Sequence, residues 1–179
     1  MKSQPTLTTE RLLLSPLRAA DIPLIIAYAG NPNIARYTQY IPYPYQEADA
    51  IYWLNLANIG YKNGTHHVFA IRNPENEAFM GGVGLTVNQA HNKASVGYWL
   101  AEQFWGEGYC TEALRAVLRY GLEEVGLNKI NASYLAVNGA SGRVMEKAGM
   151  IKEGVQRKDM LKNGVYHDHI CYGMLASDT

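Results

Sequence analysis

Hydrophobic and polar positions alternate from Lys93 to Leu100: Lys93, Ser95 and Gly97 interleave with Ala94, Val96 and Tyr98, and Trp99 and Leu100 follow. A period of two predicts a strand. Past a short loop holding Gly106 and Gly108 the period changes. Leu114, Val117, Leu118, Gly121, Leu122 and Val125 recur at helical spacing, which predicts one amphipathic helix stopped by Gly126-Leu127-Asn128. The unit is strand, glycine loop, helix, and the rest of the pattern is arranged around it.

Upstream, Thr9 to Pro16 reads as a first strand. Asp21 is an expected N-cap, with Pro23 in the first turn of a helix over 22–29 that ends at Gly30-Asn31-Pro32; a short helical turn covers 33–37. Ala50, Trp53, Leu54, Ala57 and Tyr61 share one face of a helix over 46–61, which places Trp53 in a core. Strands follow at 66–72 and 79–87. Gly81, Gly82 and Gly84 in the second predict a bulge or the close approach of another group. Downstream come a strand at 129–137, a helix at 141–148 closed by Gly149, and a hairpin of 152–160 with 165–174 about Lys162-Asn163-Gly164. The order β-α-α-β-β-β-α-β-α-β-β is mixed α/β with strands in runs.

Composition narrows the reading. A length of 179 residues, 47% apolar and 18% charged, fits one domain over 1–179 with a sizeable core. Lys plus Arg, at 16, balance Asp plus Glu, at 16, so there is no global charge of the kind that nucleic-acid or membrane binders carry. No apolar run approaches the ~18 residues of a membrane span, and the start lacks a secretory h-region. Cys110 and Cys171 lie far apart with no metal-ligand spacing, and a reducing cytoplasm is the expected compartment. His66, His67 and His91 lack a ligand pattern and are expected at the surface.

Candidate chemistry starts at the glycine loop. The first N–H groups of a helix have no intrahelical partner and sit at the positive end of its dipole, and glycines let a phosphate approach them. Relief of a tight turn is the competing reading of Gly106 and Gly108. The loop lacks the ending of a P-loop, and Thr111 stands where a dinucleotide fingerprint needs glycine. Tyr37 to Tyr45 holds four tyrosines and two prolines, either a substrate wall or a surface loop packing its rings on the core. Asn138 and Ser141 open a helix and are suited to capping it.

The stretch GYWLAEQFWGEGYCTEALRAVLRYGLEEVGLNKINA, followed by NGASGRVMEKAGM, resembles the GNAT superfamily of acetyl-CoA-dependent N-acetyltransferases, in its RimJ/RimL-like branch; the likeness extends from about Thr9 to about Leu175. The superfamily's acyl-CoA loop, Gln/Arg-x-x-Gly-x-Gly/Ala, falls on Trp105, Gly106, Glu107, Gly108, Tyr109 and Cys110, with Trp105 and Cys110 departing from it. The resemblance implies a central mixed, mostly antiparallel sheet with splayed strands, flanked by helices. It implies that the edge of Trp99, Leu100 and Ala101 pairs with pantetheine amides, and that the backbone from Gly106 to Thr111 meets the pyrophosphate. Asn138 would bond the pantetheine arm, and Ser141 would donate a proton to the leaving thiolate. Tyr40, Tyr43 and Tyr45 would border the acceptor. The implied reaction is direct transfer from acetyl-CoA to a primary amine, with no metal and no acyl-enzyme on Cys110. Glu102 is one candidate base, and the Tyr166-His167-Asp168 segment, with Asp168 toward the acceptor, is another. The acceptor is a protein N-terminus, a polyamine or a small-molecule amine, and the chain is a monomer or homodimer. A CoA-binding sensor of the same fold without turnover is the alternative.

Overall fold

The computed structural model describes residues 3–178. Eight strands form one sheet in the order β1-β2-β3-β4-β5-β6-β8-β7. They are β1 (Leu7–Thr8), β2 (Leu13–Pro16), β3 (His66–Arg72), β4 (Phe79–Asn88), β5 (Lys93–Leu100), β6 (Lys129–Leu135), β7 (Ile151–Lys162) and β8 (Val165–Leu175). Helices α1 (Ile22–Ala29), α2 (Pro32–Tyr37) and α3 (Glu47–Lys62) precede β3; α4 (Tyr109–Arg119) and α5 (Gly139–Lys147) flank β6. Every strand pair is antiparallel except β5 with β6.

Alternation divides the sheet into two apolar faces. Leu85, Val96 and Ile130 pack with Leu114 and Leu118 of α4, while Val68, Phe79 and Trp99 pack with Ile25 of α1 and Ala57 of α3. Full burial of a Leu or Ile contributes about 1.5–3 kcal/mol, so these two faces hold the sheet between its helices. The expected glycine approach is present in β4. A Cβ on Gly81 would lie 2.3 Å from the Trp99 carbonyl oxygen, and one on Gly82 would lie 2.5 Å from the Trp53 ring.

Several local expectations change. The first strand is broken, because Thr9 turns the chain: its N–H donates to the Leu12 carbonyl (3.0 Å) and its Oγ1 accepts from the Leu12 N–H (3.0 Å). Asp21 does not cap α1. Its buried carboxylate takes both Nη groups of Arg72 at 2.8 and 2.7 Å, and Arg72 Nε donates to Ser15 Oγ at 2.7 Å. The cap that does form is Asn31, which accepts from the Asn33 N–H, so α2 begins at Pro32. The long helix leaves α geometry at Tyr120 and runs through a π turn to Glu124, with Val125 N–H bonded to Tyr120 C=O. His67 is buried rather than at the surface, with Nδ1 2.9 Å from the Tyr120 hydroxyl. Burial, then neighbouring His66, lowers its pKa.

The parallel pair positions the site. β5 meets β6 only at Lys93–Lys129, Ala94–Ile130 and Ser95–Asn131. Beyond that, β5 stays with β4 as far as Leu100, and β6 stays with β8 as far as Leu135. Each strand keeps its outer partner, so the sheet opens between them.

Candidate functional site

A cleft of about 1200 Å³ occupies this opening. The Ala101 N–H donates to Met80 C=O (2.9 Å), so Ala101 faces β4. Strand alternation then turns the N–H and C=O of Leu100 and Tyr98 to the open edge, and those of Trp99 back to β4. Of the three edge residues expected from sequence, only Leu100 presents backbone to the cleft, and its carbonyl accepts from Trp105 Nε1 at 2.7 Å. The Trp99 side chain lies on the α1–α3 face, 5.9 Å from the Trp53 ring. Trp53, expected in a core, is half-buried and lines the cleft.

At one mouth sits the glycine loop. Gly106 and Gly108 have φ of +85° and +82°, which glycine alone adopts without strain. The first bond of α4 runs from Glu112 N–H to Gly108 C=O, so the N–H groups of Tyr109, Cys110 and Thr111 precede the helical ladder. A Cβ on Gly106 would meet nothing within 4 Å, which leaves room for a ligand at the backbone. The loop is fastened from the N-terminal side. Arg11 Nη1 donates to Glu107 C=O (3.0 Å), its guanidinium lies 4.8 Å from the Tyr109 ring centre, and it pairs with Glu112 at 2.8 Å. Burial alone would raise the Glu112 pKa, but bonds from Thr9 and Arg11 outweigh it and lower the value. Arg11 gave no signal in the sequence, because its partners lie about a hundred positions away.

Deeper in the cleft, the Ser141 and Tyr98 hydroxyls lie 2.8 Å apart, and Tyr98 Oη also donates to the Ser141 carbonyl at 3.0 Å. Burial raises the Tyr98 pKa. Sequence reasoning missed Tyr98 as chemistry, since it occupied an apolar place in the alternation. Asn138 caps α5: its Oδ1 accepts from Ser141 N–H (3.3 Å) and its Nδ2 donates to Tyr37 C=O (3.0 Å). The Cys110 thiol lines the cleft but is pushed up to about 12 by burial, which leaves it protonated and a poor nucleophile.

On the other side, Tyr40 and Tyr45 line the cleft. The Tyr45 phenol is pushed up to about 12 by burial and then by Asp49. Tyr43 is exposed and Asp168 accepts from Lys158 N–H (3.0 Å); neither lines the cleft. Glu102 is also outside it, held by Asn31 Nδ2 at 2.5 Å and Asn33 Nδ2 at 2.9 Å. Glu102, one of the two candidate bases, is thus turned toward α2, whose start was not legible as its partner.

No group of three or more His, Cys, Asp or Glu side chains able to hold a metal ion occurs among the described residues, and no described helix is long and apolar enough to cross a membrane. The chain is 28% identical over 176 residues to an uncharacterized N-acetyltransferase, YoaA, of Bacillus subtilis, covering 96% of this chain and 97% of that protein. It is 25% identical over 181 residues to the [ribosomal protein uS5]-alanine N-acetyltransferase of Escherichia coli, covering 96% and 91%. The solved structure of spermidine N-acetyltransferase from Vibrio cholerae, in complex with CoA and spermine, superposes with a TM-score of 0.81 at 23% identity over 95% of this chain and 98% of that one, a likeness of fold. Residues 11–151 match the family described as Acetyltransferase (GNAT) domain, and with the splayed sheet and its glycine loop already in place, the chain belongs to the GNAT acetyltransferases.

Proposed function

We propose that the chain transfers the acetyl group of acetyl-CoA to a primary amine by direct attack in a ternary complex. One observation carries this reading: a cleft opened between parallel strands has unpartnered helix N–H groups at one mouth and a paired hydroxyl donor, Ser141 with Tyr98, within it. Acetyl-CoA supplies the activated thioester. The backbone from Gly106 to Thr111 binds its pyrophosphate, and the open edge at Tyr98 and Leu100 lies beside the pantetheine arm. Ser141 gives its proton to the departing thiolate and takes one back from Tyr98, 2.8 Å away, while the proton that the attacking nitrogen sheds on becoming an amide leaves through water and restores the Tyr98 hydroxyl. The acceptor must arrive as a free amine, since a lysine-like amine has a pKa of about 10.4 and its ammonium form has no lone pair. Tyr40 and Tyr45 form the acceptor wall, and much of the rate comes from holding amine and carbonyl in contact distance. Alanine of a ribosomal protein, named for the Escherichia coli relative, and spermidine, named for the structural neighbour, are the first acceptors to try. We place the protein in the cytoplasm, as a monomer or homodimer.

The test is acceptor-dependent thiol release from acetyl-CoA, with the acetylated amine identified by mass. Thiol release matched by acetylated product is expected. Stabilisation by acetyl-CoA with no release on any amine would replace this reading with a CoA-binding sensor.

A further inference from the structure

Residues 37–39 are tied down from three directions. The Tyr37 carbonyl accepts from Asn138 Nδ2, and Lys162 Nζ donates to the carbonyls of Ala35 and Thr38. The third tie is the Gln39 side chain, which reaches across to β6 and β8. Its Nε2 lies 2.5 Å from His169 Nε2 and, at a longer 3.5 Å, from the Ser133 carbonyl oxygen. His169 is buried, and its Nδ1 lies 3.2 Å from Asp159 Oδ2.

The donor and acceptor roles follow. A carboxylate only accepts, so Nδ1 of His169 carries the proton directed at Asp159. In the neutral ring Nε2 then holds the lone pair and accepts from the Gln39 amide. Both N–H groups of that amide are turned to protein partners, and its Oε1 has no partner among the described residues. Gln39 lines the cleft, so a fixed, unpartnered carbonyl oxygen is what it offers there. The surroundings agree. Ser133 and Asn131 line the same part of the cleft on the face away from α4, and Asn131 Oδ1 is buried without a partner. Asn131 Oδ1 is thus a buried acceptor that a donor-rich group in the cleft would complete, and the Gln39 carbonyl oxygen is a second acceptor open to the same group.

We propose that Gln39 binds the acceptor amine through Oε1, and that His169, oriented by Asp159, is the positioning residue that holds the amide in that sense. This rests on the acetyltransferase reading above. A neutral amide oxygen has an advantage over a carboxylate here. It accepts an amine N–H and orients the lone pair without the charge that would favour the unreactive ammonium.

The experiment is steady-state kinetics with acetyl-CoA and two probes, an alanine-terminated hexapeptide and spermidine, on wild type, Gln39→Leu, His169→Phe and the double variant. Acetyl-CoA-induced thermal stabilisation establishes that each variant is folded. In Gln39→Leu the acceptor KM should rise about tenfold, the upper end of what one hydrogen bond contributes, with the acetyl-CoA KM unchanged. His169→Phe should raise the acceptor KM in the same direction, and the double variant should be no worse than Gln39→Leu alone. An unchanged acceptor KM in Gln39→Leu, with wild type active, overturns the amine site. A full additive loss in the double variant overturns the positioning role. If wild type acetylates neither probe nor any other amine, the acetyltransferase reading falls and the amine site with it.

Discussion

Alanine at Gly106 and alanine at Gly126 make a matched pair. Both glycines have positive φ, +85° and +78°, and a Cβ on either would meet no protein atom within 4 Å. The backbone penalty for a non-glycine residue in this region is about 1–2 kcal/mol at either site. At about 2–4 °C per kcal/mol for a chain of this size, each variant should melt roughly 2–8 °C below wild type. Ligand binding should then separate them. Gly126 closes the π turn, whereas Gly106 opens the loop whose N–H groups are assigned to the pyrophosphate. A Cβ at Gly106 that pushes a phosphate from one charge-assisted hydrogen bond removes about 1.5–3 kcal/mol, roughly 10- to 150-fold in Kd. Titration calorimetry with acetyl-CoA reads the affinity, and circular dichroism melts read the stability. Equal Kd values for the two variants would refute the placement of the pyrophosphate at this loop, whatever happened to their stabilities.

Two further outcomes concern the scaffold. Asp21→Leu leaves Arg72 buried and unpaired, which should cost about 3–5 kcal/mol, read by denaturant unfolding; Asp21→Leu with Arg72→Met should recover much of that loss, because no charge is then left buried. His67 has a folded pKa below its ordinary 6.5, so its contribution is fully present above 6.5 and is lost as pH falls from there toward the folded value, where the unfolded chain takes a proton that the folded one refuses. Melts between pH 7.5 and 5.5 should show this decline, and His67→Gln should flatten it; an unchanged slope would show that the ring does not stay neutral on folding.

Whatever depends on near neighbours was legible in the sequence, and whatever depends on distant ones was not. The period of two in β5 and the 3.6-residue period of α4 are local; the glycines of β4 signal a close approach but not what approaches, which is the Trp99 carbonyl and the Trp53 indole. From these the mixed sheet and its glycine loop follow. Asp21 read as a cap because capping is the local use of an aspartate before Ile-Pro, but the guanidinium of Arg72, 51 positions on, competes for the same carboxylate and wins with two short bonds. Tyr98 read as an apolar strand position because its partner, Ser141, lies 43 residues away. Glu102 read as a candidate base because nothing local forecasts the two asparagines at the start of α2. The cleft itself depends on where β5 and β6 stop pairing, after Ser95 and Asn131. No periodicity encodes that stop. It is set by β4 and β8, each of which holds its own neighbour to the end of the strand, so the site lies where two well-made antiparallel pairs part from one another.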